Sequence, residues 1–251
     1  MKEQQATKRF SERADQYSLY RPTYPQDILT FLKEQELLQP DAQIVDMGSG
    51  TGIFAKLLLE AGYGVTAVEP NAAMRQLAEA SLGAYAGFRS VAGTGEATSL
   101  PSASTDLITV AQAFHWFDPL AARKEFERLL RAHGAVLLVW NILQADSPFL
   151  MEYTALKAKY AHNVQHAHRA NLARIEEIFL PKPVVMGALL HTQQLNATGL
   201  KGQLLSSSMI PLEGEPRYTE MLTELSVLFE RYQEDGLVDM LYETQLFLIK
   251  Y

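Results

Sequence analysis

Between Gln43 and Trp140 the apolar residues fall into two alternating patterns. Short continuous runs predict buried strands at 43–47, 64–69, 88–92, 106–111 and 135–140. Between them, apolar residues recur at helical spacing: Ile53, Phe54, Leu57 and Leu58, then Met74, Leu77, Ala78 and Leu82, then Ala122, Phe126, Leu129 and Leu130. Asn71 caps the second of these helices and Gly83 ends it; Asp118-Pro119 opens the third. Strand and helix in alternation predict an α/β protein with a doubly wound, mostly parallel sheet. Upstream, residues 10–38 read as two helices about a break at Tyr20-Arg21-Pro22-Thr23-Tyr24-Pro25, the second starting near Pro25. Downstream, 147–180 reads as helical with Ser147-Pro148 as its start, and Pro181-Lys182-Pro183 breaks the chain. A sixth strand is expected at 189–195 and a last one at 240–251. The expected organisation is one domain: an N-terminal helical lid (1–38), a cofactor-binding core (39–141), a helical substrate cap (147–215) and the final strand.

Composition narrows the function. The chain has 251 residues, 47% of them hydrophobic, enough for one sizeable core or one core plus a small cap. With 22 Lys+Arg against 29 Asp+Glu, the formal charge is −7 and no basic cluster appears. A nucleic-acid backbone would meet a field of the wrong sign, so a small-molecule partner is expected and nucleic acid is not. Cysteine is absent, which excludes disulfides, thiolate metal ligands and a cysteine nucleophile. Neither an apolar signal core at the N-terminus nor a run of ~20 apolar residues is present, so a cytoplasmic protein without membrane contact is expected. Monomer and homodimer both remain open.

The candidate chemistry begins where the first strand ends. Val45-Asp46-Met47-Gly48-Ser49-Gly50-Thr51-Gly52 leads from a strand into a glycine turn and a helix, and the next strand ends at Glu69-Pro70. This βαβ pattern, with an acid roughly 20 residues past the turn, fits a carboxylate on ribose hydroxyls. The spacing Gly48-x-Gly50-x-Gly52 differs from the G-x-G-x-x-G of dinucleotide folds, whose amides face a pyrophosphate. A nicotinamide-dependent oxidoreductase is the competing reading.

The Asp46-x-Gly48-x-Gly50-x-Gly52 arrangement resembles the first motif of class I S-adenosylmethionine-dependent methyltransferases. Gly95-Glu96-Ala97 before Leu100-Pro101, the block Ala111-Gln112-Ala113-Phe114-His115-Trp116-Phe117, and Tyr17-x-x-x-Arg21-Pro22-x-Tyr24-Pro25 resemble the methyltransferase type 11 group. Within it they look most like small-molecule enzymes related to trans-aconitate methyltransferases. The similarity covers about 10–141 and weakly the C-terminus, where 206–211 and the last strand are similar to the same group. It implies a Rossmann-like seven-stranded sheet with an antiparallel last strand. S-adenosylmethionine would be the cofactor, held by Tyr17, Arg21, Asp46, Gly48, Ser49, Gly50, Gly52, Glu69, Pro70, Met74, Glu96, Ala97, Ala111 and Gln112. Glu96 would accept from the adenine amino group and the Ala97 N–H would face a ring nitrogen. Arg131-Ala132-His133-Gly134 replaces the usual Pro-Gly-Gly before strand five. The Asn/Asp-Pro-Pro-Tyr signature of methylases acting on bases or glutamine is missing, which disfavours those substrates.

Several residues carry two readings. Asp46 either fixes the glycine loop through backbone bonds or reaches the cofactor amino group through water. Met74 is either core or a cover for the adenine face. Tyr17 and Arg21, four apart, share a helix face. They either pack and carry surface charge, or close over the cofactor with Arg21 on its carboxylate. His115 and Trp116 leave a strand at its C-terminal end, where doubly wound folds bind ligands. They are the catalytic candidates, Trp116 facing the sulfonium methyl and His115 the acceptor; otherwise they fill a helix–sheet gap. His162, His166 and His168 cluster, but without H-E-x-x-H or an obvious third ligand no metal site is expected. A non-catalytic S-adenosylmethionine-binding protein is the remaining alternative to methyl transfer.

Overall fold

A computed structural model describes residues 20–162, 172–207 and 209–251. In chain order the elements are α1 (Asp27–Glu34), β1 (Ile44–Met47), α2 (Ile53–Glu60), β2 (Val65–Val68), α3 (Ala72–Leu82), β3 (Phe88–Val91), β4 (Thr105–Ala111), a 3₁₀ turn (Phe114–Trp116), α4 (Pro119–Leu129), β5 (Leu130–Leu143), α5 (Pro148–Tyr160), α6 (Leu172–Phe179), β6 (Val184–Leu195), α7 (Ala197–Leu205), α8 (Tyr218–Tyr232) and β7 (Val238–Lys250). The strands form one seven-stranded sheet in the order β3-β2-β1-β4-β5-β7-β6. β1 pairs in parallel with β2 and β4, β2 with β3, and β4 with β5. β5 and β7 run in opposite directions, because Tyr251 N donates to Gly134 O and Gln144 N to Leu241 O. The sheet is thus mostly parallel, with a helix after β1, β2 and β4 as the alternating pattern predicts, and a loop without a helix between β3 and β4.

Two compact units make up the described chain: 23–141, 172–189 and 244–251 in the first, 20–22, 142–162 and 190–243 in the second. In the first unit the core is built from inward residues of the central strands (Ile44, Val65, Leu107, Leu137, Val139, Leu248) and the helical faces of Ile28, Leu32, Phe54 and Leu58. β1 is buried along its whole length, which is why its sequence reads as an unbroken apolar run apart from Asp46. The second unit has its own apolar cluster, with Phe149, Tyr153, Leu200, Met221, Leu225 and Met240 among its members.

Element boundaries depart from the sequence reading where burial is one-sided. β6 begins at Val184, not 189, and most of its residues are partly or fully exposed, so little apolar pattern marks its start. β5 starts at Leu130. Residues 131–134, expected to be a loop, lie inside it as a bulge: Thr105 pairs with Leu130, but Leu107 already pairs with Ala135. His133 takes a left-handed φ of 67° there, and Arg131 pairs with Asp106 at 3.0 Å. α1 opens at Asp27, two residues after Pro25. The helix α8 has no counterpart in the sequence reading, and α7 falls within the expected helical cap without being read as an element of its own. α7 carries Gly199 and Gly202, which weaken its helical signal, although its cap is visible: Asn196 accepts from Gly199 N.

Candidate functional site

The glycine turn sits at the C-terminal end of β1, between β2 and β4, where parallel sheets leave a crevice. Gly48, Gly50 and Gly52 all have positive φ (67°, 57° and 84°), a conformation that side-chain-bearing residues adopt at a cost. Two of these glycines are also sterically required. A Cβ on Gly48 would lie 2.7 Å from Ala113 Cβ, and one on Gly52 would lie 2.4 Å from Leu82 Cδ1. The loop is tied to the neighbouring strand, since Gly48 N and Ser49 N both donate to Val68 O at 2.8 and 3.1 Å. It then hands over directly to α2, whose N-cap Gly52 offers no side-chain acceptor.

Two carboxylates flank this loop. Glu69 is 7% exposed; its Oε2 accepts from Gly50 N at 2.9 Å and its Oε1 from Asn71 N at 2.8 Å. Burial pushes its pKa up, while those two amides and Arg75 pull it down. Each oxygen keeps a second lone pair for a ligand hydroxyl. Asp46, 1% exposed, accepts from Thr109 Oγ1 at 2.8 Å across the β1–β4 pair. Burial raises it to about 7, against the Thr109 hydroxyl and the Ala55 amide, and the nearby Glu69 charge adds to the rise. Asp46 therefore braces the strand–loop–helix junction. Within the loop, Ser49 Oγ and Thr51 Oγ1 are buried atoms with no hydrogen-bond partner among the described residues. Buried hydroxyls left this way cost about 1–3 kcal/mol each, so the loop favours a ligand with polar groups.

Other named residues gather around the loop or turn away from it. Met74 is 5% exposed, and its Sδ is 3.8 Å from where a Gly50 Cβ would stand. Pro70 is exposed next to Glu69. Glu96 Oε1 accepts from Asp118 N at 2.8 Å, and Ala97 N donates to Thr94 O at 3.3 Å. Both groups that the resemblance directs at adenine are thus engaged within the protein in this structure. Ala111 pairs with Val139, and Gln112, at φ 55°, donates from its side chain to Asn141 O at 2.9 Å. His115 and Trp116 lie in the 3₁₀ turn with ring centroids 4.9 Å apart, Trp116 half exposed. Arg21 belongs to the second unit, where its Nη2 donates to Ser206 O at 3.2 Å. Tyr17, His166 and His168 lie outside the described residues. α5 ends before His162, which sits 3.2 Å from Glu215.

Thr109, which the sequence reading passed over, completes the site together with Asn71, read there only as a helix cap, and Phe117, read only as part of the 111–117 block. Thr109 binds Asp46, and Asn71 holds both a Glu69 oxygen and the first amides of α3. Phe117 covers the loop: a Cβ on Gly48 would meet its ring at 3.1 Å and one on Gly95 at 2.6 Å. The glycines were legible in the sequence, but the ring that requires them comes from a distant loop.

A methyltransferase domain family matches residues 45–138. An uncharacterized methyltransferase of Mycobacterium tuberculosis is 36% identical over 132 residues, covering 53% of this chain and 51% of that one. An uncharacterized methyltransferase-like protein of Schizosaccharomyces pombe is 29% identical, covering 64% and 62%. The chain thus spans about half to three-fifths of the length of these relatives. A solved structure from Anaeromyxobacter dehalogenans, assigned as a type II methyltransferase, shares the fold with a TM-score of 0.63 at 20% identity, covering 92% of this chain and 97% of that one. Glycine loop, strand-end carboxylate and family match coincide on the same stretch: residues 45–138 are similar to a methyltransferase domain.

Proposed function

We propose that the protein transfers a methyl group from S-adenosylmethionine to a small-molecule acceptor. The observation that carries this reading is the left-handed glycine loop closed by Glu69, with two buried hydroxyls inside it that have no partner among the described residues. Those features fit the cofactor: Glu69 takes the ribose hydroxyls, Ser49 and Thr51 meet polar groups along the loop, and Met74 lies beside the nucleoside. When bound, the cofactor supplies a methyl group already activated by a positive sulfur. The protein's part is then orientation and exclusion of water, and positioning alone is worth up to ~7–11 kcal/mol in the best intramolecular reactions. Trp116 is assigned to offer an aromatic face for cationic charge, and His115 to take a proton should the acceptor need to lose one. The segments 1–38 and 147–215 are assigned as lid and acceptor cap, in a cytoplasmic protein.

Calorimetry tests the reading. Glu69→Ala should weaken S-adenosylmethionine binding at least tenfold, about 1.4 kcal/mol; an unchanged affinity would remove Glu69 from the site. NADH binding in a fluorescence titration would favour the oxidoreductase alternative. Tight cofactor binding without S-adenosylhomocysteine formation across a broad acceptor panel would instead mark a non-catalytic binder.

A further inference from the structure

The loop that follows β4 reaches across to the loops after β1 and β3. Its Phe117 ring is wedged between two backbones. A Cβ on Gly95, in the loop after β3, would lie 2.6 Å from Cδ2 and Cε2 of the ring, and one on Gly48, after β1, would lie 3.1 Å from its Cζ. Gly95 has no left-handed φ, so the nearness of the ring, not the backbone conformation, is what requires glycine there. Ala113 closes the other approach to Gly48, its Cβ 2.7 Å from where a Gly48 Cβ would stand. One residue past the ring, Asp118 N donates to Glu96 Oε1 at 2.8 Å. The loop after β3 is held further along by α4. Thr98 N and Oγ1 donate to Glu125 Oε1 at 2.8 and 2.7 Å, and Arg128 Nη2 donates to Leu100 O at 3.0 Å.

Three loops are therefore joined at one ring. With glycine on both sides, no flexible side chain stands between ring and backbone, and close-packed atoms pass a displacement on rather than absorb it. The ring belongs to a short turn closed by its own bonds, Trp116 N to Ala113 O at 2.9 Å and Phe117 N to Phe114 O at 3.2 Å. Phe114 anchors that turn: it is 6% exposed, and its ring centre lies 6.2 Å from that of Phe117 and 5.8 Å from that of Phe179. His115 and Trp116 stand between the two phenylalanines, so the turn cannot shift at Phe117 without carrying them. We propose that Phe117 is a positioning residue, whose ring sets the spacing of the loops after β1 and β3 and ties that spacing to the placement of His115 and Trp116. The nucleoside assigned to those loops rests on the methyl-transfer reading; the packing of the ring on two glycines does not.

The probe is adenosine, which lacks the sulfur and the amino-acid tail and so has no group to set against Trp116 in that reading. The chain has two tryptophans, so fluorotryptophan labelling of the full chain gives two fluorine NMR resonances, which Trp116→Phe assigns. Adenosine should shift the Trp116 resonance of the parent. In Phe117→Leu and Phe117→Met, which keep most of the side-chain volume, calorimetry should show adenosine binding weakened several-fold, and the Trp116 shift at saturation should be largely lost. Gly95→Ala drives a methyl into the ring and should act in the same direction. Combined with Phe117→Leu, that methyl takes the place of the lost ring edge, and the double variant should regain part of both affinity and shift. An undiminished Trp116 shift at saturation in both Phe117 variants would overturn the proposal, as would adenosine binding to the parent with the Trp116 resonance unmoved. A parent that binds neither adenosine nor S-adenosylhomocysteine would remove the methyl-transfer reading itself, and the role given to Phe117 with it.

Discussion

Asp46 and Glu69 are both acids at strand ends, yet their surroundings give them different work. Glu69 is held by two amides of the loop and the next turn, so it shapes the glycine bend even before a ligand arrives. Asp46 is more deeply covered and titrates near neutrality. Its folded-state pKa of about 7 lies above the ordinary 3.8, so the native state holds the proton more tightly than the unfolded chain does. Stability then falls as pH rises between those values and levels off above the upper one, a span worth roughly 4 kcal/mol. Asp46→Asn removes this titration. Thermal unfolding of the ligand-free variant should show a higher Tm than the parent at pH 8, with the difference shrinking towards pH 5. A gap of the same size at both pH values would place the charge outside the core. Glu69 could be read from its distance to the glycines. The carboxyl–hydroxyl bond from Thr109 could not, because the partners are 63 positions apart and meet only when β1 and β4 pair.

At the scale of elements, the three glycines divide into different kinds of requirement. Gly52→Ala meets a left-handed φ of 84° and a Leu82 methyl at 2.4 Å, on a side chain that is 1% exposed and cannot step aside. A loss of roughly 2–4 kcal/mol in urea unfolding is expected. Gly50→Ala meets only Met74 Sδ at 3.8 Å, so only the backbone cost of about 1–2 kcal/mol remains. Equal losses for the two variants would refute this distinction. The same scale shows which elements can be read in advance. Strands buried on both faces and helices with a cap plus one apolar stripe announce themselves, as β1, β4, α3 and α4 do. β6, exposed along much of its length, and α7, interrupted by two glycines, do not, because the pattern that marks them is set by what they pack against.

For the whole molecule, charge and size set the class of partner. A chain of net charge −7 meets a polyanion with a field of the same sign, which weighs against nucleic acid as the partner. Fluorescence anisotropy with a short labelled duplex at low salt should show no saturable binding at micromolar protein; a salt-dependent isotherm would contradict the small-molecule assignment. None of the described helices is long and apolar enough to cross a membrane.

The sequence by itself determined the parallel α/β rhythm, the glycine bend and the acid at the end of the second strand. Those depend on residues close along the chain, where periodicity, backbone freedom and spacing act directly. Tertiary structure alone decided that Phe117 covers the bend, that Glu96 and Ala97 face groups within the protein, and that Thr109 reaches Asp46. Each of these depends on burial and on contacts across long loops, which change a side chain's water, charge and partners without leaving a mark in the local pattern.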